Sequence, residues 1–132
     1  MSELKPHFTI FVDEVRREIH YAASGFWSPE DMARFQSRLL QKVKPLIEAG
    51  RGFHVLGDMS GLAVQDRLMA NSMKFMMAES VKLGMKRQAF VITSSLLKLQ
   101  FDRLVDPAHT QIFPSRSDAL HWLRSPVSRA NA

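Results

Sequence analysis

Residues 53–61 read FHVLGDMSG, and the fold turns on how that stretch is read. Phe53 to Leu56 form a short apolar run between Gly52 and Gly57, the pattern of a central strand buried on both faces. Turn-forming residues then gather at Gly57, Asp58, Ser60 and Gly61. Short polar side chains such as Asp58 and Ser60 hydrogen-bond nearby backbone amides, and glycine permits a sharp path. The stretch therefore predicts a buried strand that ends in a turn.

Upstream, FTIFV at 8–12 is β-branched and aromatic and predicts a strand. Asp13 and Glu14 form a polar turn, and from Arg17 to Ala23 Ile19 and Tyr21 alternate with Glu18 and His20. That period of two predicts a second strand, paired with the first as a hairpin and ended by Gly25. Ser28-Pro29-Glu30-Asp31 then supplies an N-cap hydroxyl, a proline at the first helical position and an acid at the third, which resembles a capping box. Met32, Phe35, Leu39, Val43, Leu46 and Ile47 recur at helical spacing, opposite Arg34, Arg38, Gln41 and Lys42. Pro45 is expected to kink the last turn before Gly50 stops the helix.

Downstream, a helix is predicted from about Asp66 to Leu83, closed by Gly84. QAFVIT at 88–93 predicts a strand, Leu97, Phe101 and Leu104 a shorter helix ended by Pro107, and TQIF at 110–113 a last strand. Ser115 caps a final helix with Asp118 at its third position, followed by Leu120, Trp122 and Leu123. The order is β-β-α-β-α-β-α-β-α: an α/β protein with a five-stranded mixed sheet, about four helices and right-handed crossovers. One domain, 7–124, uses nearly the whole chain, between an N-terminal tail at 1–6 and a flexible C-terminal tail at 125–132.

The chain has 132 residues, 45% of them hydrophobic, which suits one domain with a buried core. It contains no cysteine, which excludes disulfides, thiol nucleophiles and thiolate metal sites. No apolar run approaches the roughly 20 residues that span a bilayer, and the start MSELKPHFTIFVDEV lacks a leader pattern. A cytoplasmic protein is the expectation. The net charge of +5 raises nucleic acid as a partner, but the basic residues are scattered and lie in no aromatic-interleaved strand. A basic surface kept for solubility is the better reading.

The helix from 66 to 83 is unusually apolar. Arg67, Asn71, Lys74 and Lys82 form one narrow polar stripe, against Leu68, Met69, Met73, Phe75, Met76, Met77 and Val81. A helix covering one sheet face needs an apolar band of about 100° or a little more, and this one is wider. Either neighbouring helices cover the excess, with methionine filling irregular gaps, or Met69, Met73, Met76 and Met77 form a surface for homodimerisation or an apolar ligand.

Catalytic patterns are weak. Ser60 lies in GDMSG, one residue out of register with the G-x-S-x-G elbow. Asp58, Asp106, His54, His109 and His121 could in number supply a triad, but nothing local builds one. The five histidines show no metal-ligand spacing, and no phosphate-binding glycine loop is present. No metal or cofactor is expected. His54, among apolar neighbours, reads as a hydrogen-bonded structural histidine, and Gly25-Phe26-Trp27 as a staple on the first helix.

GFWSPED at 25–31, FHVLGDMSG at 53–61, LGMKRQAFVIT at 83–93 and IFPSRSDALHWL at 112–123 together resemble the short bacterial STAS-like proteins, relatives of the SpoIIAA anti-sigma-factor antagonist. The resemblance runs from about His7 to Leu123. It implies a sheet with helices largely on one side and a non-enzymatic, regulatory role exercised through an unidentified protein partner. Asp58-x-Ser60 matches the acid and hydroxyl at the central strand's end in signalling members. In those members a serine just before the next helix is phosphorylated, and roughly two added negative charges abolish binding. Here that place reads LAVQDRLMANS: Asp66 is present, but Arg67 and Leu68 stand where hydroxyl residues are expected. The resemblance thus points to Asp58, Ser60, Gly61 and Asp66 as an interaction loop or, with Ser60 displaced from the usual place, a phosphorylation loop. The same broad fold group includes lipid carriers, so a small apolar-ligand or lipid carrier is the alternative function.

Overall fold

Strands β1 (His7–Asp13) and β2 (Glu18–Gly25) form the expected antiparallel hairpin, with Asp13 opposite Glu18. The turn between them brings Arg17 to φ 54°, a left-handed conformation in which a residue with a Cβ is strained. The protein, a computed structural model that describes residues 5–126, continues with α1 (Pro29–Ala49), β3 (Phe53–Leu62), α2 (Arg67–Lys82) and β4 (Met85–Val91). Helix α3 (Ser95–Asp102), β5 (Thr110–Phe113) and α4 (Arg116–Leu123) complete it. The tails expected at 1–6 and 125–132 fall largely outside the described residues.

The five strands stand in sequence order, β1-β2-β3-β4-β5, and all pairs after the hairpin are parallel. Each crossover therefore steps to the next strand in the same direction. Right-handed connections then put α1, α2 and α3 on one face. That face holds the main core, with Phe35 and Val43 of α1, Met69, Met73 and Met77 of α2, and Leu97 and Phe101 of α3. Helix α4 packs on the other face, where Ala119 and Leu123 cover Leu56, Ala89 and Val91.

The capping box at α1 is formed: Asp31 N–H donates to Ser28 Oγ at 3.2 Å, and Ser28 N–H donates to Asp31 Oδ2 at 2.8 Å. The helix passes through Pro45 to Ala49 and is closed by Gly50 at φ 67°. Of the Phe26-Trp27 pair, Trp27 is the buried staple, its ring 5.3 Å from Phe35, while Phe26 is exposed.

Two strands differ from expectation. Strand β4 starts at Met85 rather than 88, because Met85 and Arg87 pair with Phe53 and His54. Strand β3 does not end at Leu56 but runs on to Leu62, so GDMSG lies inside the ladder and not in a turn. Ala22 pairs with Asp58 and Ser24 with Gly61, which sets two residues of β3 against one of β2. This bulge returns Leu62 to the same core as Met59; in a regular strand a residue three places on would face the other side of the sheet. Gly57 has its own reason to be glycine. A Cβ there would lie 2.8 Å from the Tyr21 ring and hydroxyl and 2.9 Å from Phe90.

Glu18, on the polar side of the alternation in β2, is only 1% exposed. Arg124, just past α4, reaches back and donates to it through Nε at 2.8 Å and a terminal nitrogen at 2.9 Å. His20 Nε2 lies 2.9 Å from the same carboxylate. Burial pushes the Glu18 pKa up, but the bonds from Arg124 and His20 outweigh it and hold the carboxyl below its ordinary value. A depressed folded pKa gives stability that is present above the unfolded glutamate pKa and lost as pH falls through the folded one. Arg124→Met should therefore destabilise the protein by about 2–3 kcal/mol at neutral pH, below the usual figure for a buried pair because Arg124 is partly in water. Urea unfolding of both proteins should show this gap narrowing below the ordinary glutamate range.

Candidate functional site

In a parallel sheet the loops after the strands gather at the carboxyl edge. Here these are the β2–α1, β3–α2 and β4–α3 connections, capped by Ser28, Asp66 and Ser94 respectively. Gln65, 5% exposed, ties the first two together and bonds α3. Trp27 N–H donates to Gln65 Oε1 at 3.0 Å, and Gln65 Nε2 donates to the carbonyls of Gly25 at 3.1 Å and Ala63 at 2.6 Å. Its backbone exchanges two further bonds with the side-chain amide of Gln100 in α3, at 3.0 and 2.7 Å. Sequence reasoning missed Gln65. An isolated glutamine in a loop carries no pattern, and all its partners but Ala63 lie 35 to 40 residues away.

Fixed by this clamp, the edge presents apolar side chains to water. Phe26 and Val64 flank the clamped loops, Leu68 and Leu96 stand on the first turns of α2 and α3, Leu99 follows on the second turn of α3, and all five are exposed. Asp66 accepts from Met69 N–H at 2.8 Å and so serves as the α2 N-cap.

Asp58 and Ser60 are brought together on the bulge of β3. Ser60 donates to Asp58 Oδ1 from its backbone N–H at 3.0 Å and from its hydroxyl at 2.6 Å. The expected bonding of local amides is thus present, inside a strand. Ser60 and Gly61 are exposed. Among the described residues no hydrogen bond links Asp66 to this pair. Asp58 also borders a shallow hollow with Thr9, Phe11, His20, Ala22 and Arg116, on the part of the sheet that α4 leaves open. Arg116 reaches His20 Nδ1 at 2.9 Å, and Phe11 is 62% exposed. The FTIFV pattern signals a strand apolar on both sides, but only one side of β1 receives helices.

The methionines of α2 point mainly inward. Met69, Met73 and Met77 are buried and Met76 is half-buried, so the part of the band that emerges into solvent is Leu68 and Phe75. Met69, Met73 and Met76 line a narrow apolar channel of about 20 Å³. Tyr21 and Met76 also border a larger cavity of about 230 Å³ between α1 and α2, with Leu39, Val43, Phe75 and Leu83 around it. The Tyr21 hydroxyl is buried and has no hydrogen-bond partner among the described residues. Burial pushes its pKa well up, so it is a neutral phenol.

No imidazole bonds Ser60, and no group of three or more potential metal ligands occurs among the described residues. His54 departs from the expected structural histidine, because its Nδ1 is buried without a partner. Burial first, and then the positive charges of Arg87, Arg17 and Lys86, push its pKa down. No described helix is long and apolar enough to cross a membrane.

No family model matches the chain, and no curated protein sequence matches it. Solved structures do. An uncharacterised protein of the DUF3478 family with a SpoIIAA-like fold from Shewanella loihica PV-4 superposes with a TM-score of 0.65 at 18% identity, covering 90% of this chain and 95% of that one. An anti-sigma factor antagonist from Mycobacterium paratuberculosis superposes with a TM-score of 0.57 at 16% identity, covering 90% and 96%. The fold is SpoIIAA-like, as the sequence resemblance implied.

Gln65→Ala removes three side-chain bonds and leaves the buried Trp27 amide without an acceptor, and should destabilise the fold by about 2 kcal/mol. Amide exchange at Phe26, Trp27 and Ala63 should rise, with the core of β4 unchanged.

Proposed function

We propose that this chain is a non-enzymatic regulatory module that binds a protein partner through the carboxyl edge of its sheet, in the manner of anti-sigma-factor antagonists. The observation that carries this reading is the set of exposed apolar side chains, Phe26, Val64, Leu68 and Leu96, on loops and helix starts that Gln65 and Gln100 hold in place. Large apolar residues on a rigid rim supply the buried centre of an interface, and polar groups beside them fix its register. Asp58, Ser60, Gly61 and Asp66 supply those polar groups at the same end of β3. Arg67 and Leu68 occupy the start of α2, so phosphorylation at the place usual for signalling members does not control this binding. The fold likeness to an anti-sigma factor antagonist supports the kind of partner.

A second reading is a carrier of a small apolar ligand, favoured by the cavity of about 230 Å³ between α1 and α2. A ligand there would meet Leu39, Val43 and Met76, near the unpartnered Tyr21 hydroxyl. Native mass spectrometry of protein purified from its own host separates the two readings: a co-purifying lipid supports the carrier, and the bare polypeptide mass removes it.

Ser60→Ala and Leu68→Asp should both fold with unchanged circular dichroism. In pull-downs from the host, Leu68→Asp should lose the partner, and Ser60→Ala should bind it several-fold more weakly, as expected for one lost hydrogen-bonding group. Undiminished binding by both variants would contradict the proposed surface.

A further inference from the structure

The opposite, amino edge of the sheet carries a different chemistry. Arg16 and Arg17 precede β2, Arg51 and His54 lie at the start of β3, Lys86 and Arg87 at the start of β4, and His109 just before β5. All of them line one hollow of about 550 Å³, and no acidic residue lines it. The charges do not cancel one another locally. Arg16 is held by Asp13 at 3.5 Å, and Arg87 donates to the carbonyls of Trp122 at 2.7 Å and Ser125 at 3.0 Å. The side chains of Arg17, Arg51 and Lys86 have neither an ion pair nor a hydrogen bond among the described residues. All four helices end at this edge, each with about half a negative charge at its carboxyl end. Together they offset less than half of the five cations.

Gly52, at φ 79°, lies beneath the Lys86 stem at the start of β3, where a Cβ would fall 2.5 Å from Lys86 Cε and 3.1 Å from its Cγ. Arg17 is fixed by its carbonyl, which accepts from His54 N–H at 2.9 Å, and it tolerates a left-handed backbone to remain there. The His54 ring borders the same hollow with one nitrogen buried and unpartnered.

We propose that this hollow binds the phosphate group of a phosphate-bearing ligand, with Arg17, Arg51 and Lys86 as the charged donors and His54 beside them. Charge-assisted bonds from arginine and lysine to phosphate are the strong class of such contacts. The site is distinct from the carboxyl-edge surface, and it stands or falls independently of the partner proposed there.

Pyrophosphate titrated into the full chain by calorimetry and two-dimensional NMR tests this. Saturable one-site binding is expected, with shifts confined to residues 16–17, 51–54 and 86–87 and to the His54 ring. Arg51→Ala and Lys86→Ala should each weaken it roughly tenfold. Arg17→Asn should weaken it similarly yet melt no lower than the parent, since asparagine accepts the left-handed backbone more readily; a purely structural arginine would not show that pairing. Phosphatidylcholine vesicles containing phosphatidic acid identify the source. Vesicle binding lost in the same variants, without pyrophosphate binding, assigns the phosphate to a lipid headgroup. Absence of saturable binding to either probe overturns the proposal. So does an equal loss in Arg38→Ala on the exposed face of α1, which would reduce the effect to net charge.

Discussion

Parallel strands entered one after another in the same direction, each through a right-handed crossover, leave the connecting helices no choice of face. In this chain that constraint stacks α1, α2 and α3 on one side of the sheet and leaves the other side to α4 alone. It also sorts the helix ends. The amino ends of the three crossover helices, with their capping residues Ser28, Asp66 and Ser94, collect at the carboxyl edge of the strands. Their carboxyl ends collect at the other, where the unpaired cations lie. The two surfaces described above are thus consequences of one topology, and their opposite chemistry follows from which residues the loops at each edge carry.

Strand β3 is where the constraint bears hardest. It sits in the middle of the sheet, with β2 and β4 on either side and helices on both faces, so each residue has one admissible direction. Gly57 leaves room for Tyr21, and the bulge at Met59 and Ser60 keeps Leu62 in the core while Ser60 stays in water. The Asp58 carboxylate takes two bonds from Ser60 and thereby stabilises the extra residue that the bulge introduces. In chemical terms the arrangement is a hydroxyl and an amide bonded to one carboxylate, and among the described residues no imidazole bonds the hydroxyl.

Element order, the β1–β2 hairpin and most caps are legible in the sequence because they rest on local chemistry. The Ser28-Pro29-Glu30-Asp31 box and the alternation at Ile19 and Tyr21 need only neighbours in the chain. What the sequence hid depends on distant partners. Glu18 alternates like a solvent-facing residue, and only the return of Arg124, 106 positions later, buries it. Gln65 carries no signal until Trp27, Gly25 and Gln100 surround it. GDMSG suggests a turn because glycine, aspartate and serine suit a turn and a bulge equally well, and only pairing with β2 tells them apart. The apolar band on α2 is wide enough to emerge from the core, but periodicity alone does not show that Met69, Met73 and Met77 face inward while Leu68 and Phe75 remain outside.

The most direct measurement of the central claim, that the carboxyl edge is the surface a protein partner meets, is site-specific photo-crosslinking in the native host. A photoreactive phenylalanine analogue would replace Phe26 at that edge or, as a control, Val15, which is 90% exposed in the hairpin turn at the opposite edge. One discrete crosslinked protein is expected from position 26 and none from position 15. The same products from both positions, or none from position 26, would contradict it.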